Sequence, residues 1–252
     1  MNNYEIFYNL HRQNTPLVLA NVWNVTSAKI VEKQGYKALA TSSAAVARTL
    51  GYEDGEEISF DEMVYVAKRI ISSVNLPLSV DMETGYSNDI NTVISNIEKL
   101  HDIGVVGINI EDSVSKLLIP AHVFCKKISA IKNHLIKNNM QLFINTRTDG
   151  FLINPPAELE TTLERVQLYS TNGADGIFVP FIKEEAHIKQ VTAATALPVN
   201  VLAMPGLPSP ETLAAWGVHR VSMGSSLFRA HYNYLETLLN NINAQQSFAP
   251  LF

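Results

Sequence analysis

Three carboxylates stand where short apolar runs turn polar. Asp81 and Glu83 close the run Leu78-Ser79-Val80-Asp81-Met82-Glu83, and Glu111 closes Gly107-Ile108-Asn109-Ile110-Glu111. If the chain stays extended past Asp81, residues two apart project to the same side, so Asp81 and Glu83 share a face. Neighbouring strands lie about 4.8 Å apart, which lets Glu111 meet them. Carboxylates crowded in this way repel and hold their protons unless a cation neutralises them. An oxygen-only donor set, with no His or Cys beside it, selects Mg²⁺, or Mn²⁺, over zinc. Taken singly, each acid also fits a plainer role as a surface charge, a helix cap (Asp112 and Ser113 among them) or half of a loop salt bridge.

Other polar groups fall at equivalent places. Arg147, in Asn145-Thr146-Arg147-Thr148-Asp149, offers a planar fork that matches a substrate carboxylate, or a salt bridge to Asp149 or Glu111. Ser42 and Ser43 lie in the small-residue stretch Thr41-Ser42-Ser43-Ala44-Ala45. There backbone N–H groups can approach an oxyanion, or the small side chains simply pack. Asn200, in Val199-Asn200-Val201-Leu202, can hold a substrate carboxylate through its amide or cap a turn. His101, His122 and Cys125 fall within helical patterns, where packing or solvation is expected of them. The absence of a lysine at these run ends argues against Schiff-base chemistry.

The elements that position these groups follow from periodicity. Strand-like runs occur at 17–20, 38–41, 78–81, 106–110, 142–145, 176–179, 199–202 and 220–222. Their starts recur about every 29 residues, close to the length of a βαβ unit. They lack polar alternation, as strands buried on both faces of a helix-covered parallel sheet do. Helical patterns at 61–73, 91–101, 121–137, 158–170, 184–194 and 211–216 lie between them. Gly35, Gly104, Gly173 and Gly217 each stand where a left-handed residue would end a helix before the next strand. A helix at 4–13 precedes the first strand and another at 226–243 follows the last. Eight such units, with no G-x-G-x-x-G turn after the first strand, predict an α/β fold of the (β/α)₈ TIM-barrel type. One domain is expected over 1–252, its barrel at about 16–225, with chemistry at the C-terminal ends of the strands.

Composition narrows the partners. The chain has 252 residues, a net charge of −5 and one cysteine. It carries no basic stripe for nucleic acid and no apolar run long enough for a membrane helix. The first residues resemble no secretory leader, and a single cysteine suits a reducing compartment, so the cytoplasm is expected.

With Leu50-Gly51-Tyr52-Glu53-Asp54, Asp81-Met82-Glu83-Thr84-Gly85-Tyr86, Gly107-Ile108-Asn109-Ile110-Glu111-Asp112 and Asn145-Thr146-Arg147-Thr148-Asp149 in place, the chain resembles the isocitrate lyase/phosphoenolpyruvate mutase superfamily from about residue 16 to 229. The resemblance implies an α/β barrel whose last helix, 226–243, is exchanged between subunits, giving dimers paired into a homotetramer. It implies Asp81 as the direct Mg²⁺ ligand, with Asp54, Glu83 and Glu111 acting through waters. Ser42 and Ser43 would contact the 2-oxo acid end, Arg147 would bind its carboxylate or stabilise developing charge, and Asn200 would hold the distal part. The chain departs from the lyases at their Lys-Lys-Cys-Gly-His lid. Here Glu111 is followed by Asp112-Ser113-Val114-Ser115-Lys116-Leu117-Leu118-Ile119-Pro120, with no cysteine. It also lacks the longer gating loop of the phosphonate-handling members, and Glu83 stands where many members have aspartate.

The reading that emerges is a Mg²⁺-dependent lyase or decarboxylase that cleaves a carbon–carbon bond of a small 2-oxo or 2-hydroxy carboxylic acid. Two others compete with it. One is phosphorus–carbon chemistry of the phosphoenolpyruvate phosphonomutase or phosphonopyruvate hydrolase type. The other is a non-catalytic 2-oxo acid-binding protein.

Overall fold

The eight apolar runs become eight parallel strands closed on themselves. In the computed structural model, which describes residues 1–153 and 156–252, these are β1 (Leu17–Val22), β2 (Leu39–Thr41), β3 (Leu78–Asp81), β4 (Gly107–Glu111), β5 (Phe143–Arg147), β6 (Gly176–Val179), β7 (Val199–Leu202) and β8 (Arg220–Ser222). Each strand pairs with the next and β8 pairs with β1, so no edge remains. The expected (β/α)₈ barrel is therefore present, and the strand bounds depart from expectation by two residues at most.

Helices cover the outside because their apolar positions recur on one face. In Phe60–Ile71 the buried residues are Phe60, Met63, Ala67 and Ile70, a spacing of three and four that makes a single stripe. Ser59 starts this helix by accepting from the Glu62 backbone N–H while Glu62 accepts from that of Ser59, which satisfies two orphan donors reciprocally. The four glycines that close helices all have positive φ, from 81° to 113°. At Gly173 a Cβ would also lie 2.8 Å from the side chain of Lys132.

One end of the barrel is plugged. The helix Asn3–Leu10, shorter than the expected 4–13, inserts Phe7 among Leu17, Leu19, Ala38, Ala40, Val106 and Phe143, residues at or near the starts of their strands. Phe7 meets Phe143 edge-on at 5.8 Å. With the N-terminal end of the barrel interior sealed by apolar contact, the interior opens towards the opposite mouth.

Three helices escape the periodicity argument: Val25–Lys33, Ser43–Thr49 and Gly150–Ile153. Each is short, so its pattern is hard to tell from a loop. The segment 113–119, which stands where the lyases carry their lid, holds an antiparallel hairpin in which Ser113–Val114 pairs with Leu117–Leu118. Its turn residues, Ser115 and Lys116, both have positive φ (49° and 62°), the type I′ geometry that suits strand twist. The last helix, Ser226–Gln245, buries only Phe228, and Tyr234, Leu235 and Leu239 stay exposed. Among the described residues no helix is long and apolar enough to cross a membrane.

Candidate functional site

The C-terminal mouth of the barrel holds a cavity of about 190 Å³ whose lining combines the polar Ser42, Ser43, Asp54, Asp81, Asn109 and Arg147 with the apolar Phe178, Pro180, Phe181 and Leu202. Larger grooves exist on the surface, but they lie between helices or at the plugged end and gather no comparable set of charges.

Asp81 is fixed by the strand next to it. Its backbone N–H donates to Thr41 Oγ1 at 2.9 Å. Its Oδ2 accepts from the Ser43 hydroxyl at 3.1 Å and the Ser43 N–H at 3.4 Å. Ser42 caps the helix Ser43–Thr49 through its own hydroxyl, which accepts from Ala45 N–H. The two serines thus divide the work, one shaping the turn and the other holding the carboxylate.

Glu83 arrives differently from the extended-strand expectation. The strand ends at Asp81, Gly85 N–H closes a turn on Met82 O at 2.8 Å, and Glu83 has φ 49°. Alternation therefore does not put Glu83 on Asp81's face, and Glu83 does not line the cavity. It stays close enough to feel the other charges. Burial, then the carboxylates of Asp81, Asp54 and Glu56, push its pKa up to about 8. Burial and Asp81 likewise raise Asp54. Glu56, which the sequence reading did not single out, organises this loop by accepting from Thr84 N–H, Thr84 Oγ1 and Tyr86 N–H at 2.7 to 2.9 Å.

Arg147 forms the salt bridges that were one of its two expected roles, and to both acids at once. Its Nε and Nη2 donate to the two oxygens of Asp149 at 2.7 and 3.1 Å, and Nη1 meets Glu111 at 2.6 Å. The same guanidinium lines the cavity. The pair register explains the meeting, because Glu111 on β4 stands directly beside Arg147 on β5. Burial holds the Glu111 carboxyl well above its usual range against the pull of Arg147. Behind them Asp112 is fully buried with Arg165 and Tyr169, at 2.8 and 2.7 Å. It also accepts from the backbone N–H of Asp149 at 2.9 Å. Asp112 is thus a buried ion-pair residue rather than a helix cap.

The ring of three acids about one ion is not formed as the spacing suggested. Among the described residues no three of Asp, Glu, His or Cys converge on a common point where a metal could sit. What the fold provides is two cavity-lining carboxylates, Asp81 and Asp54, with Glu83 and Glu111 outside the lining. This oxygen-only, carboxylate-rich set fits a hard divalent ion that keeps several of its waters, as Mg²⁺ does.

Asn200 is not brought to the cavity. It is fully buried in the barrel interior, where Nδ2 donates to Val201 O at 2.7 Å and Ser222 Oγ at 3.2 Å while Oδ1 accepts from Asn145. Its amide is taken by the barrel. Sequence reasoning also missed cavity residues. Asn21 on β1 accepts at Oδ1 from Met223 and Gly224 N–H and donates to Thr41 O, tying β1, β2 and the turn after β8 together. Asn109 on β4 lines the floor. Both shared an unused signal, a lone amide in an otherwise apolar strand.

Comparison with known proteins agrees with this geometry. A family model described as phosphoenolpyruvate phosphomutase matches residues 7–243. An uncharacterised protein of Mycobacterium tuberculosis is 34% identical over 224 residues, 89% of this chain and 83% of its own length. An oxaloacetate decarboxylase of a Marinomonas species is 28% identical, with 84% and 75% covered. The crystal structure of a phosphonomutase-like protein of Burkholderia cenocepacia superposes with a TM-score of 0.90 at 36% identity, covering 94% of this chain and 99% of that one. Related proteins are thus lyases and mutases built on one barrel, and this chain belongs to the phosphoenolpyruvate phosphomutase family, within the wider PEP mutase/isocitrate lyase superfamily.

Proposed function

We propose that this chain is a Mg²⁺-dependent carbon–carbon lyase or decarboxylase acting on a small 2-oxo or 2-hydroxy carboxylic acid. The observation that carries the reading is the cavity itself, where Asp81, Ser43 and Arg147 line one space of about 190 Å³. That volume suits a substrate of a few carbons and is below the range of larger ligand pockets. Asp81 would hold the ion, with Asp54, Glu83 and Glu111 as outer carboxylates. A bound Mg²⁺, or Mn²⁺, supplies a Lewis acid for the oxygens of a 2-oxo acid.

The chain's own groups do the rest. Arg147, locked between Asp149 and Glu111, presents a fixed positive charge to a carboxylate or a developing oxyanion without reorganising. Glu111 positions that guanidinium. Ser43, next to Asp81, contacts the 2-oxo end, and Ser42 holds the turn from which it does so. Phe178, Pro180, Phe181 and Leu202 give the cavity an apolar portion that suits an apolar substituent. The hairpin lid contributes Ser115 and Lys116 at its tip, because the Ser113 hydroxyl is already bonded to Asp149.

The test is a panel of small 2-oxo and 2-hydroxy di- and tricarboxylates given to purified protein with Mg²⁺, with pyruvate, glyoxylate and CO₂ release followed. Release from at least one acid is expected, and none from any would overturn the lyase reading. The family model favours a second reading, phosphorus–carbon chemistry, which phosphorus NMR of phosphonopyruvate mixtures separates from the first. Tight Mg²⁺-dependent binding with no turnover would favour a 2-oxo acid-binding protein, which the lid without a cysteine allows. The exposed apolar residues of Ser226–Gln245 support exchange of this helix between subunits. The family resemblance is what suggests a homotetramer, and the single cysteine what suggests the cytoplasm.

A further inference from the structure

We propose that Asn109 binds the ligand, its side-chain amide donating to an anionic oxygen on the cavity floor while Arg220 and Asn145 beneath it fix its direction. The inference rests on the 2-oxo acid reading above and adds to it the residue that recognises this oxygen.

The middle of the barrel is polar. Ser79, Asn109, Asn145, Asn200 and Arg220 are all buried there. Asn109 Oδ1 accepts from Asn145 Nδ2 at 2.8 Å and from Arg220 Nη2 at 3.2 Å. Two donors on one amide oxygen settle which end of the group is oxygen, and so aim Nδ2 the other way. Asn109 is only 4% exposed, yet it lines the cavity, and Nδ2 has no acceptor among the described residues. Its neighbours in register are Asp81 on β3 and Asn145 on β5. A ligand reaching Asp81 therefore lies beside the Asn109 amide.

Arg220 gives the amide its electrostatic setting. Its side chain is completely buried, its Nε and Nη1 have no hydrogen-bond partner, and no carboxylate stands in contact with it among the described residues. Burial draws its pKa down to about 9, with Asp81 as the anion that opposes this, so the guanidinium stays charged at neutral pH. A cation in the barrel axis without a paired anion is costly, and a negative ligand on the floor above it offsets that cost through a low-dielectric medium. Donation from Arg220 into Oδ1 also polarises the amide and strengthens Nδ2 as a donor. Asn145, held in turn by Asn200 Oδ1 at 3.1 Å, prevents the amide from flipping.

The test is calorimetry with oxalate in the presence of Mg²⁺, on the full chain. Wild-type protein binds oxalate, and Asn109→Ala binds it about 10- to 100-fold more weakly, the loss of one hydrogen bond to a charged group. Affinity for Mg²⁺ alone stays within about twofold. Asn109→Asp hands Arg220 a carboxylate partner, so its melting temperature holds or rises while oxalate binding is lost. This variant carries the test if the alanine variant does not fold. Oxalate affinity unchanged in either variant overturns the assignment, as does an equal loss of Mg²⁺ affinity in Asn109→Ala. Wild-type protein that does not bind oxalate overturns the 2-oxo acid reading and this inference together, whereas binding that both variants retain overturns this inference alone.

Discussion

At the scale of single residues the site is an excess of buried acid balanced by one arginine. Arg147 is shared by Glu111 and Asp149, while Asp81, Asp54 and Glu83 have no cation in contact among the described residues. Asp81→Ala is expected to abolish Mg²⁺-dependent binding of 2-oxo acids in calorimetry, and unchanged affinity would remove Asp81 from the metal assignment. Glu83 gives a pH signature. Its pKa is raised from 4.5 to about 8 in the folded chain, so between those values the unfolded state ionises while the folded state keeps the proton. The unfolded state then binds fewer protons, and stability falls as pH rises from about 4.5 to 8. Melting curves in a chelator should move to lower temperature over this window, and Mg²⁺ should counter the shift by favouring the ionised form. Glu83→Gln should flatten the slope, and an unaltered slope would mean that other groups carry it.

At the scale of elements, each strand end delivers one kind of group and the loop after it decides the aim. β4 and β5 deliver Glu111 and Arg147 side by side because their register pairs them. β3 delivers Asp81 and then turns, which withdraws Glu83 from the cavity. The Asn3–Leu10 helix does the opposite job at the sealed end. Phe7 is fully buried against Leu17, Leu19 and Phe143, so Phe7→Ala should cost about 3–5 kcal/mol, the range for an emptied aromatic site. Urea denaturation measures this, and a loss below about 1 kcal/mol would show that the plug contributes little to closure.

For the whole molecule, the barrel accounts for every long element except the last. Ser226–Gln245 packs through Phe228, which meets Trp23 edge-on at 5.3 Å, and leaves Leu235 and Leu239 in solvent. Twenty residues of helix with one buried side chain are poorly stabilised alone, because helix stability in proteins comes mainly from packing. The double change Leu235→Asp and Leu239→Asp should therefore lower the sedimenting mass towards the 27.9 kDa of one chain. A wild-type mass already equal to that of one chain, or a larger mass unaltered by the double change, would overturn exchange of this helix.

Taken alone, the sequence determined what depends on short-range regularity. Unbroken apolar runs about 29 residues apart, and glycines where helices must end, made the barrel legible because strand burial and left-handed φ leave local marks. The acids at run ends were legible for the same reason, and Asp81, Ser43 and Arg147 do line one cavity. Tertiary structure alone decided which groups meet. Arg220 lies 111 residues from the Asn109 oxygen it bonds, and Asn200 looked like a mouth residue until closure of the barrel turned its amide inward. Such outcomes depend on the register of distant strands and on the backbone turn after each one. No window of neighbouring residues encodes either, because the contacts exist only once all eight strands have closed.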